Sequence, residues 1–379
     1  LKDFKPDTLS EEYGLCPEFV EKLKKPDAAA EVLKKRYDEF WSQPGYCGCE
    51  TEMHYDSLAD MEVELKLRKG KEDDSWYHAA RYSSAMRVVA DEYIDKLQAR
   101  GFIVPSTSSR FVSRLLFVRR SGGGWRALID GRRLNSVIET VHVHLPSCEE
   151  VLNQLPESLQ GSCRATPADP CARAEYINIC DFSQGFHAMR YKPGLTQELT
   201  TFSTHRGNMM WKVASMGAQN SPAIFVRAVT DMLNAYGICG GTMCDPSKLT
   251  DDGRLMHTIF SRDNAGTEHS KYGDWSYRED EKSTPSDQYN WCLSYIDDTA
   301  SLGMDLRQCD RRLHMLSYVC TKASMWMNPK KLKTHVRAAD FLGNTIALVN
   351  GEIRVYAQRT RVAAFMKMPA PKRDKRQLL

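Results

Sequence analysis

Apolar and polar positions recur along the chain with two periods, which predicts amphipathic helices mixed with short strands. The segment 83–101 carries apolar residues at helical spacing, with Ser84 as its N-cap and Gly101 at its end. The segment 27–41 shows the same spacing and starts at Asp27, another residue type favoured as an N-cap. We expect both segments to be surface helices with one buried face.

Shorter apolar runs bounded by turn residues predict strands and hairpins. A further helix is predicted over 220–233, because Pro222 suits a first helical turn. The predicted strand segments are 110–120 and 124–130, which form a hairpin around a glycine-rich turn, 176–180, the strand-turn-strand 291–303, and the hairpin 340–356 with a turn at Asn350-Gly351.

Composition narrows the class of protein without defining a partner. The 379 residues are 42% hydrophobic and 27% charged, as in ordinary globular proteins, and the net charge is only +3. A nucleic-acid ligand would therefore need a local basic patch. There is no apolar run of about 18 residues and no signal-peptide core, and the twelve cysteines lack regular spacing. We expect an intracellular protein and, since no initiator Met is present, a piece of a longer one.

Two features interrupt the pattern and carry no clear chemistry. Polar, glycine-rich inserts are predicted near 156–175 and 238–290. Cys47 and Cys49 with His54, and Cys239 with Cys244, resemble halves of zinc sites, but neither has a second paired half, so no zinc is predicted.

Three aspartates form the candidate chemistry. Asp181 ends one predicted strand, and Asp297 and Asp298 lie in the turn of a predicted hairpin. If these strands are neighbours, the carboxylates converge, and divalent cations would neutralise them. Magnesium suits oxygen ligands and substrate phosphates, and two ions about 4 Å apart support phosphoryl transfer. Aspartate is also a common turn residue, so the pair alone does not establish a metal site.

The order of several segments resembles the reverse transcriptases of LTR retrotransposons, most closely the Gypsy-type lineage. The resemblance covers about Tyr82 to Leu379. The segments are, in order, "GFIVPSTSSRFVSRLLFVRRSGGGWRALIDGRRLN", "INICDFSQGFHAMRYKP", "TTFSTHRGNMMWKVASMGAQNSPAIF", "YIDD", "MNPKKLKTHVRAADFLGN" and "MKMPAPKRDKRQLL".

The resemblance implies an α+β fold with a reverse-transcriptase-like palm, an antiparallel sheet backed by helices, together with a fingers subdomain and a truncated thumb. The expected divisions are an N-terminal extension of unknown role over 1–80, fingers with the palm-entry helix over 81–150, palm with the two polar inserts over 151–345, and the end of the palm with the start of the thumb over 346–379.

The resemblance also implies roles for individual residues. Asp181, Asp297 and Asp298 would be catalytic residues and ligands of two Mg²⁺ ions, with Mn²⁺ as an alternative, and Phe186 would exclude a ribose 2′-hydroxyl. The remaining implied residues are Lys331, or its neighbour Lys330, as a general acid; Arg119, Arg120, Arg126, Gly217 and Gln219 as substrate contacts, with Asn220, Ser221 and Pro222 completing that loop; and Phe341, Leu342 and Gly343 as the primer grip.

The implied activity is that of an RNA-directed DNA polymerase, a nucleotidyltransferase that acts on a primed RNA or DNA template and a dNTP. Protein partners could dock on the N-terminal extension or on the 238–290 insert, and no membrane is implied. A co-opted structural subunit of a larger assembly is the alternative, and an unrelated two-metal nuclease is a third hypothesis. The residues themselves also permit solvated arginines, a core Phe186 and a lysine in a basic helix end.

Overall fold

The computed structural model describes residues 27–41, 53–59, 61–119, 123–153, 175–236, 238, 292–303, 305–349 and 352–357. The helices in these ranges are α1 (Ala28–Trp41), α2 (Ser84–Ala99), α3 (Arg132–Val137), α4 (Cys148–Asn153), α5 (Leu195–Leu199), α6 (Ser221–Ala235) and α7 (Leu306–Lys322). The strands are β1 (Glu62–Val63), β2 (Trp76–Tyr77), β3 (Ile103–Pro105), β4 (Phe111–Arg119), β5 (Trp125–Ile129), β6 (Tyr176–Asp181), β7 (Arg190–Tyr191), β8 (Phe202–Thr204), β9 (Gly207–Trp211), β10 (Cys292–Tyr295), β11 (Asp298–Gly303), β12 (Lys333–Val336), β13 (Ala338–Phe341), β14 (Asn344–Val349) and β15 (Glu352–Ala357).

The predicted helices form, with one change of cap. Asp27 caps α1 by accepting from the backbone N–H groups of Ala29 and Ala30. For α2 the cap is Ser83 and not Ser84, because the Ser83 hydroxyl accepts from the N–H of Met86 and Ser84 is already helical. The cap therefore lies one residue before the predicted position.

A four-stranded antiparallel sheet in the order β10-β11-β6-β12 holds the candidate carboxylates. Its central strand β6 is covered on both faces. Ile177 and Ile179 pack into one apolar cluster and Cys180 packs into another. Because both faces are buried, the interior of β6 is apolar at Ile177, Ile179 and Cys180, and Asn178 is its one buried polar residue.

A second sheet joins β2, β4, β8, β9 and β3, with β5 paired to β4 as the predicted antiparallel hairpin. Arg119 faces Trp125 where this hairpin approaches its turn. The remaining pairings are the parallel pair β1 and β7 and the antiparallel meander β13-β14-β15. The α+β fold predicted from the sequence is confirmed.

The segment before residue 80 is part of the same core in its described residues. Met53, Leu58, Leu65 and Trp76 are buried in the main cluster, and β2 pairs with β4 in parallel. These residues thus contribute to the core, and the division at residue 80 stays a prediction.

Several sequence-based predictions fall outside the described residues. They are Arg120, the zinc half-site residues Cys47, Cys49, Cys239 and Cys244, the turn at Asn350-Gly351, nearly all of the two inserts, and the thumb segment beyond 357. Where the chain is described, none of its helices has the length and apolar content needed to cross a membrane.

Candidate active site at the end of the central strands

Three carboxylates meet where β6 and β11 end at the same edge of the sheet. Asp298 and Asp181 are direct partners in the antiparallel register of these strands. Asp297 lies in the two-residue turn before Asp298, and its carbonyl accepts from the N–H of Phe182 at 2.8 Å. The turn also holds Ile296 at φ 51°, a conformation that is costly for a β-branched residue and that concentrates at functional sites. The structure thus brings Asp181 together with Asp297 and Asp298, although Asp181 and Asp297 are 116 residues apart in the sequence.

The electrostatics of this cluster favour added positive charge. Burial, followed by the charges of Asp181 and Asp298, raises the pKa of Asp297 to about 6, against the opposing effects of Lys331 and Arg126. Burial and Asp181 likewise raise the pKa of Asp298. The buried Oδ1 of Asp297 has no hydrogen-bond partner among the described residues. A cation beside these carboxylates would offset both their burial and their mutual repulsion, and would lower their pKa values.

Lys331 supplies one such cation. Its Nζ lies 2.7 Å from Oδ2 of Asp181, and its side chain is 60% exposed while that of Asp181 is 16% exposed. The neighbouring Lys330 donates its backbone N–H to Asn328 Oδ1. Of the two lysines that the sequence proposes as proton donors, Lys331 is therefore the one whose ammonium contacts an aspartate in this structure.

The donor set also fits a divalent cation. In the described ranges, no three His, Cys, Asp or Glu side chains form a closed metal-binding group. Magnesium does not need such a group, because it binds through one or two carboxylates and takes its other ligands from water and phosphates. The unpartnered Asp297 Oδ1 beside the paired Asp181 and Asp298 has the hard oxygen chemistry that this ion prefers.

The loop after β6 packs directly against the carboxylates. A Cβ added to Gly185 would lie 2.5 Å from Cζ of Phe225 and 3.2 Å from Oδ1 of Asp297. Glycine is therefore required for this approach. Phe186 is half-buried and its ring centroid lies 5.6 Å from that of Phe225. Sequence reasoning singled out Phe186 but missed Gly185, although "SQGF" contains the residue.

A buried histidine supports the same loop. Gln184 has a left-handed φ of 53°, and its Oε1 lies 3.0 Å from Nδ1 of His187. The His187 ring stacks on Trp211 with centroids 5.4 Å apart. Burial lowers the pKa of His187 to about 4, so the ring is neutral at physiological pH. These contacts fix the backbone on both sides of Phe186.

The arginines of the β4–β5 hairpin are exposed. The Arg119 guanidinium lies 5.2 Å from the ring centroid of Trp125. Arg126 is near enough to Asp297 to lower its pKa. The hairpin therefore directs positive charge towards the carboxylates, and a phosphate group bound between them would meet both.

Gly217 and Gln219 lie where the loop before α6 meets β5 and α3. A Cβ on Gly217, whose φ is 109°, would lie 2.2 Å from the carbonyl oxygen of Ile129. The Gln219 N–H donates to Asn135 Oδ1 at 2.9 Å, and Asn135 Nδ2 donates to the Gly217 carbonyl at 3.1 Å. The close approach that Gly217 allows is thus to the β5 backbone. Sequence reasoning missed Asn135, since one amide in a short helix gives no periodic signal.

The three primer-grip candidates lie at the end of β13 and in the turn to β14. Leu342 and Gly343 have φ values of 49° and 73°, as a two-residue type I′ hairpin requires. Phe341 is buried in the same apolar cluster as Ile177 and Ile179 of β6. The turn is therefore attached to the strand that carries Asp181.

With this geometry established, comparison with known proteins identifies the fold. The described architecture matches a foamy viral protease-reverse transcriptase in complex with double-stranded DNA at a TM-score of 0.56, with 16% identity over 93% of this chain and 48% of that one. It matches the same kind of protein in complex with an RNA/DNA hybrid at a TM-score of 0.54, with 16% identity over 97% of this chain and 37% of that one. The chain has the fold of a reverse transcriptase.

Sequence comparison agrees with this fold. Residues 118–242 match the family described as reverse transcriptase (RNA-dependent DNA polymerase). The chain is also similar to the retrovirus-related Pol polyproteins of two Drosophila melanogaster transposons. Identity is 25% over 218 residues for transposon opus, covering 56% of this chain and 19% of the relative. It is 25% over 174 residues for transposon 412, covering 44% and 12%. The chain thus spans less than a fifth of the length of these relatives.

Proposed function

We propose that the protein is an RNA-directed DNA polymerase of a retrotransposon, and that it transfers nucleotides from a dNTP to a primer 3′-hydroxyl. The observation that carries the proposal is the pairing of Asp181 with Asp298 across β6 and β11, next to Asp297 with its buried and unpartnered oxygen. The similarity of residues 118–242 to the reverse transcriptase family supports the same chemistry.

In this proposal Asp181 and Asp297 would hold two Mg²⁺ ions, and Asp298 would complete the acidic cluster. When bound, such ions act as Lewis acids that activate the attacking hydroxyl and neutralise charge on the leaving phosphates. The protein itself contributes position and electrostatics. Its carboxylates lie on paired strands and a tight turn, which keep their geometry rigid during turnover.

The residues around the carboxylates bind and orient the substrate. Arg126, assisted by Arg119, binds the triphosphate from the β4–β5 hairpin, and Phe186 lies beneath the sugar and excludes a 2′-hydroxyl. Gly217 and Gln219 support the incoming base through the loop that Asn135 holds.

Two further groups of residues act on the leaving pyrophosphate and on the primer strand. Lys331, whose ammonium lies at the edge of the cluster, donates a proton to the leaving pyrophosphate. Phe341, Leu342 and Gly343 hold the primer strand from the β13–β14 turn.

The template, primer and element type are part of the proposal. The solved relatives are complexes with double-stranded DNA and with an RNA/DNA hybrid, and we infer a primed RNA or DNA template here. The motif order favours a Gypsy-type element. The alternative is a co-opted subunit in which the reverse transcriptase fold serves assembly and the carboxylates are dispensable.

Primer extension tests the proposal. The purified chain should extend a DNA primer on an RNA template with dNTPs and Mg²⁺, and Asp297→Asn should reduce the rate by at least about 100-fold, because charge stabilisation carries much of such catalysis. The control is Asp231→Asn, an exposed carboxylate on α6, which should keep parent activity. Binding of primer-template without extension in either Mg²⁺ or Mn²⁺ would favour the structural subunit.

A further inference from the structure

Strand β12 pairs with β6 in two registers that differ by one residue. Lys333 is opposite Ile179, whereas Val336 is opposite Ile177. Thr334 and His335 therefore stand together against the single residue Asn178, which defines a β-bulge. His335 has a φ of 54°, in the left-handed region that histidine enters more often than most residues but at a cost.

Buried side chains hold this bulge in place. Oδ1 of Asn178 accepts from the N–H of His335 at 2.9 Å, and its Nδ2 donates to Ser301 Oγ and to the Cys309 carbonyl, each at 3.0 Å. Nε2 of His335 lies 2.7 Å from Oδ1 of Asp310 on α7, and the two side chains are 0% and 1% exposed. The bulge is thereby fixed to β6, to β11 and to the helix behind the sheet.

A buried polar pair of this kind is costly to desolvate and is often no more stable than an apolar replacement. Stability alone therefore explains His335 and Asp310 poorly. Their place is informative, because His335 lies in the strand that follows Lys331, next to the strand that ends at Asp181, and Asp310 lies on the helix behind these strands.

The bulge sets the length of the turn that carries Lys331. Before β12, the N–H of Asn328 donates to the Asp181 carbonyl at 2.8 Å, and Lys331 lies between this contact and the pairing of Lys333 with Ile179, with its Nζ 2.7 Å from the Asp181 carboxylate. If the register of Val336 and Ile177 continued unbroken, Thr334 would face Ile179 instead of Lys333, and one more residue would have to fit into the turn after Asn328. A slip of one residue also turns side chains to the other face of the sheet.

We propose that Asn178, His335 and Asp310 are positioning residues, which hold the bulge in β12 and so deliver Lys331 to Asp181. The catalytic consequence rests on the proposed function, in which Lys331 donates a proton. The structural statement does not, since it concerns the register of two strands.

A double-mutant cycle on unfolding tests the register directly. The unfolding equilibrium constant is measured in chelator for the parent, Lys331→Ala, Asp181→Asn and the double variant. In an exposed ion pair, substituting one residue typically changes the effect of substituting the other on this constant by about 1.5-fold to fivefold, and this factor is the coupling. The cycle is repeated in a His335→Gly background, where glycine keeps the left-handed backbone but cannot reach Asp310. We expect the coupling to disappear there.

A matched control lies in the same bulge. Thr334 is buried and its hydroxyl has no hydrogen-bond partner among the described residues, so Thr334→Val should leave the coupling intact. Coupling that persists in the His335→Gly background would overturn the proposal. If that variant does not fold, Asn178→Ala replaces it with the same expectation, and His335→Gln, whose amide can still donate to Asp310, should retain the coupling.

Primer-extension kinetics of the same variants separate this proposal from the proposed function. In primer extension, Lys331→Ala and His335→Gly should each lower kcat, and the double variant should be no slower than Lys331→Ala alone. Additive losses would overturn the positioning role. A parent chain that never extends a primer would overturn the proposed function, and the unfolding cycle would still decide the register.

Discussion

Asp297 differs from its two partners because one of its oxygens is buried and has no hydrogen-bond partner in the part of the chain that the structure describes. Burial and the neighbouring carboxylates raise its pKa to about 6 from an ordinary value of 3.8. The folded chain therefore holds this proton more tightly than the unfolded chain does. Stability from the protonated group is fully present below about pH 4 and is lost as the pH rises through about 6.

Asp297→Asn should consequently stabilise the metal-free protein at neutral pH. A shift of this size corresponds to about 3 kcal/mol in the free energy of unfolding at pH 7.5, and the gain should vanish near pH 4. Chemical denaturation in chelator between pH 4 and 8 measures it, with Asp231→Asn as control. An Asp297→Asn variant that is less stable than the parent at pH 7.5 would contradict this electrostatic account.

Phe186 gives the second prediction at this scale. Its ring packs against Phe225, and the Gln184–His187 contact holds the backbone on either side of it, so a bound sugar would meet a rigid surface. Phe186→Ala should increase ribonucleotide incorporation relative to deoxynucleotide incorporation by at least about tenfold, equivalent to about 1.4 kcal/mol. Single-nucleotide insertion kinetics measure the ratio. Phe186→Tyr keeps the ring and should keep the selectivity, and unchanged selectivity in Phe186→Ala would remove the assigned role.

The sequence identified the chemically distinctive residues but not the residues that hold them in place. Adjacent aspartates after an apolar run are visible in "YIDD", and a ladder of short strands predicts their meeting with Asp181. Asn135 and His335 are single polar residues whose structural roles depend on distant partners. Asn135 binds Gly217, 82 positions away, and His335 binds Asp310, 25 positions away. Such contacts have no local pattern in one sequence.

At the scale of elements, turn chemistry made the hairpins predictable. The glycines after β4 mark a reversal that the structure contains. The turn at Leu342-Gly343 was not predicted, because those residues were identified only as part of the primer grip. The bulge in β12 was not predictable, because "KTHV" contains neither glycine nor proline and its irregularity is enforced by Asn178 on another strand. The pairing of β2 with β4 was hidden for a similar reason, since two-residue strands carry no period.

Helix α1 provides a prediction for an element outside the family resemblance. Asp27 caps this helix and accepts a hydrogen bond from the Tyr176 hydroxyl at the start of β6. Asp27→Ala should therefore lower the free energy of unfolding by about 1 to 2 kcal/mol. Asp27→Asn retains a capping oxygen and should lose clearly less. Equal losses in the two variants, measured by chemical denaturation, would show that the cap contributes little.

At the scale of the whole molecule, described segments that are distant in the sequence meet in the main apolar cluster and around the carboxylates. Met53, Leu65 and Trp76 are buried in the same cluster as the strands that follow them. The β4–β5 hairpin brings Arg126 towards carboxylates carried by a different sheet. The solved reverse transcriptases match over most of this chain at 16% identity, so the architecture is retained while most side chains differ. The site depends on pairings between segments more than 100 residues apart, which no local pattern encodes.

Manganese binding tests the central claim most directly. The protein is mixed with a chain-terminated primer, its template and the matching dNTP, and bound Mn²⁺ is counted by electron paramagnetic resonance. The account predicts two ions for each parent complex and a loss of at least one in Asp181→Asn and in Asp297→Asn, with Asp231→Asn unchanged. Binding of the same number of ions in all four proteins would contradict it.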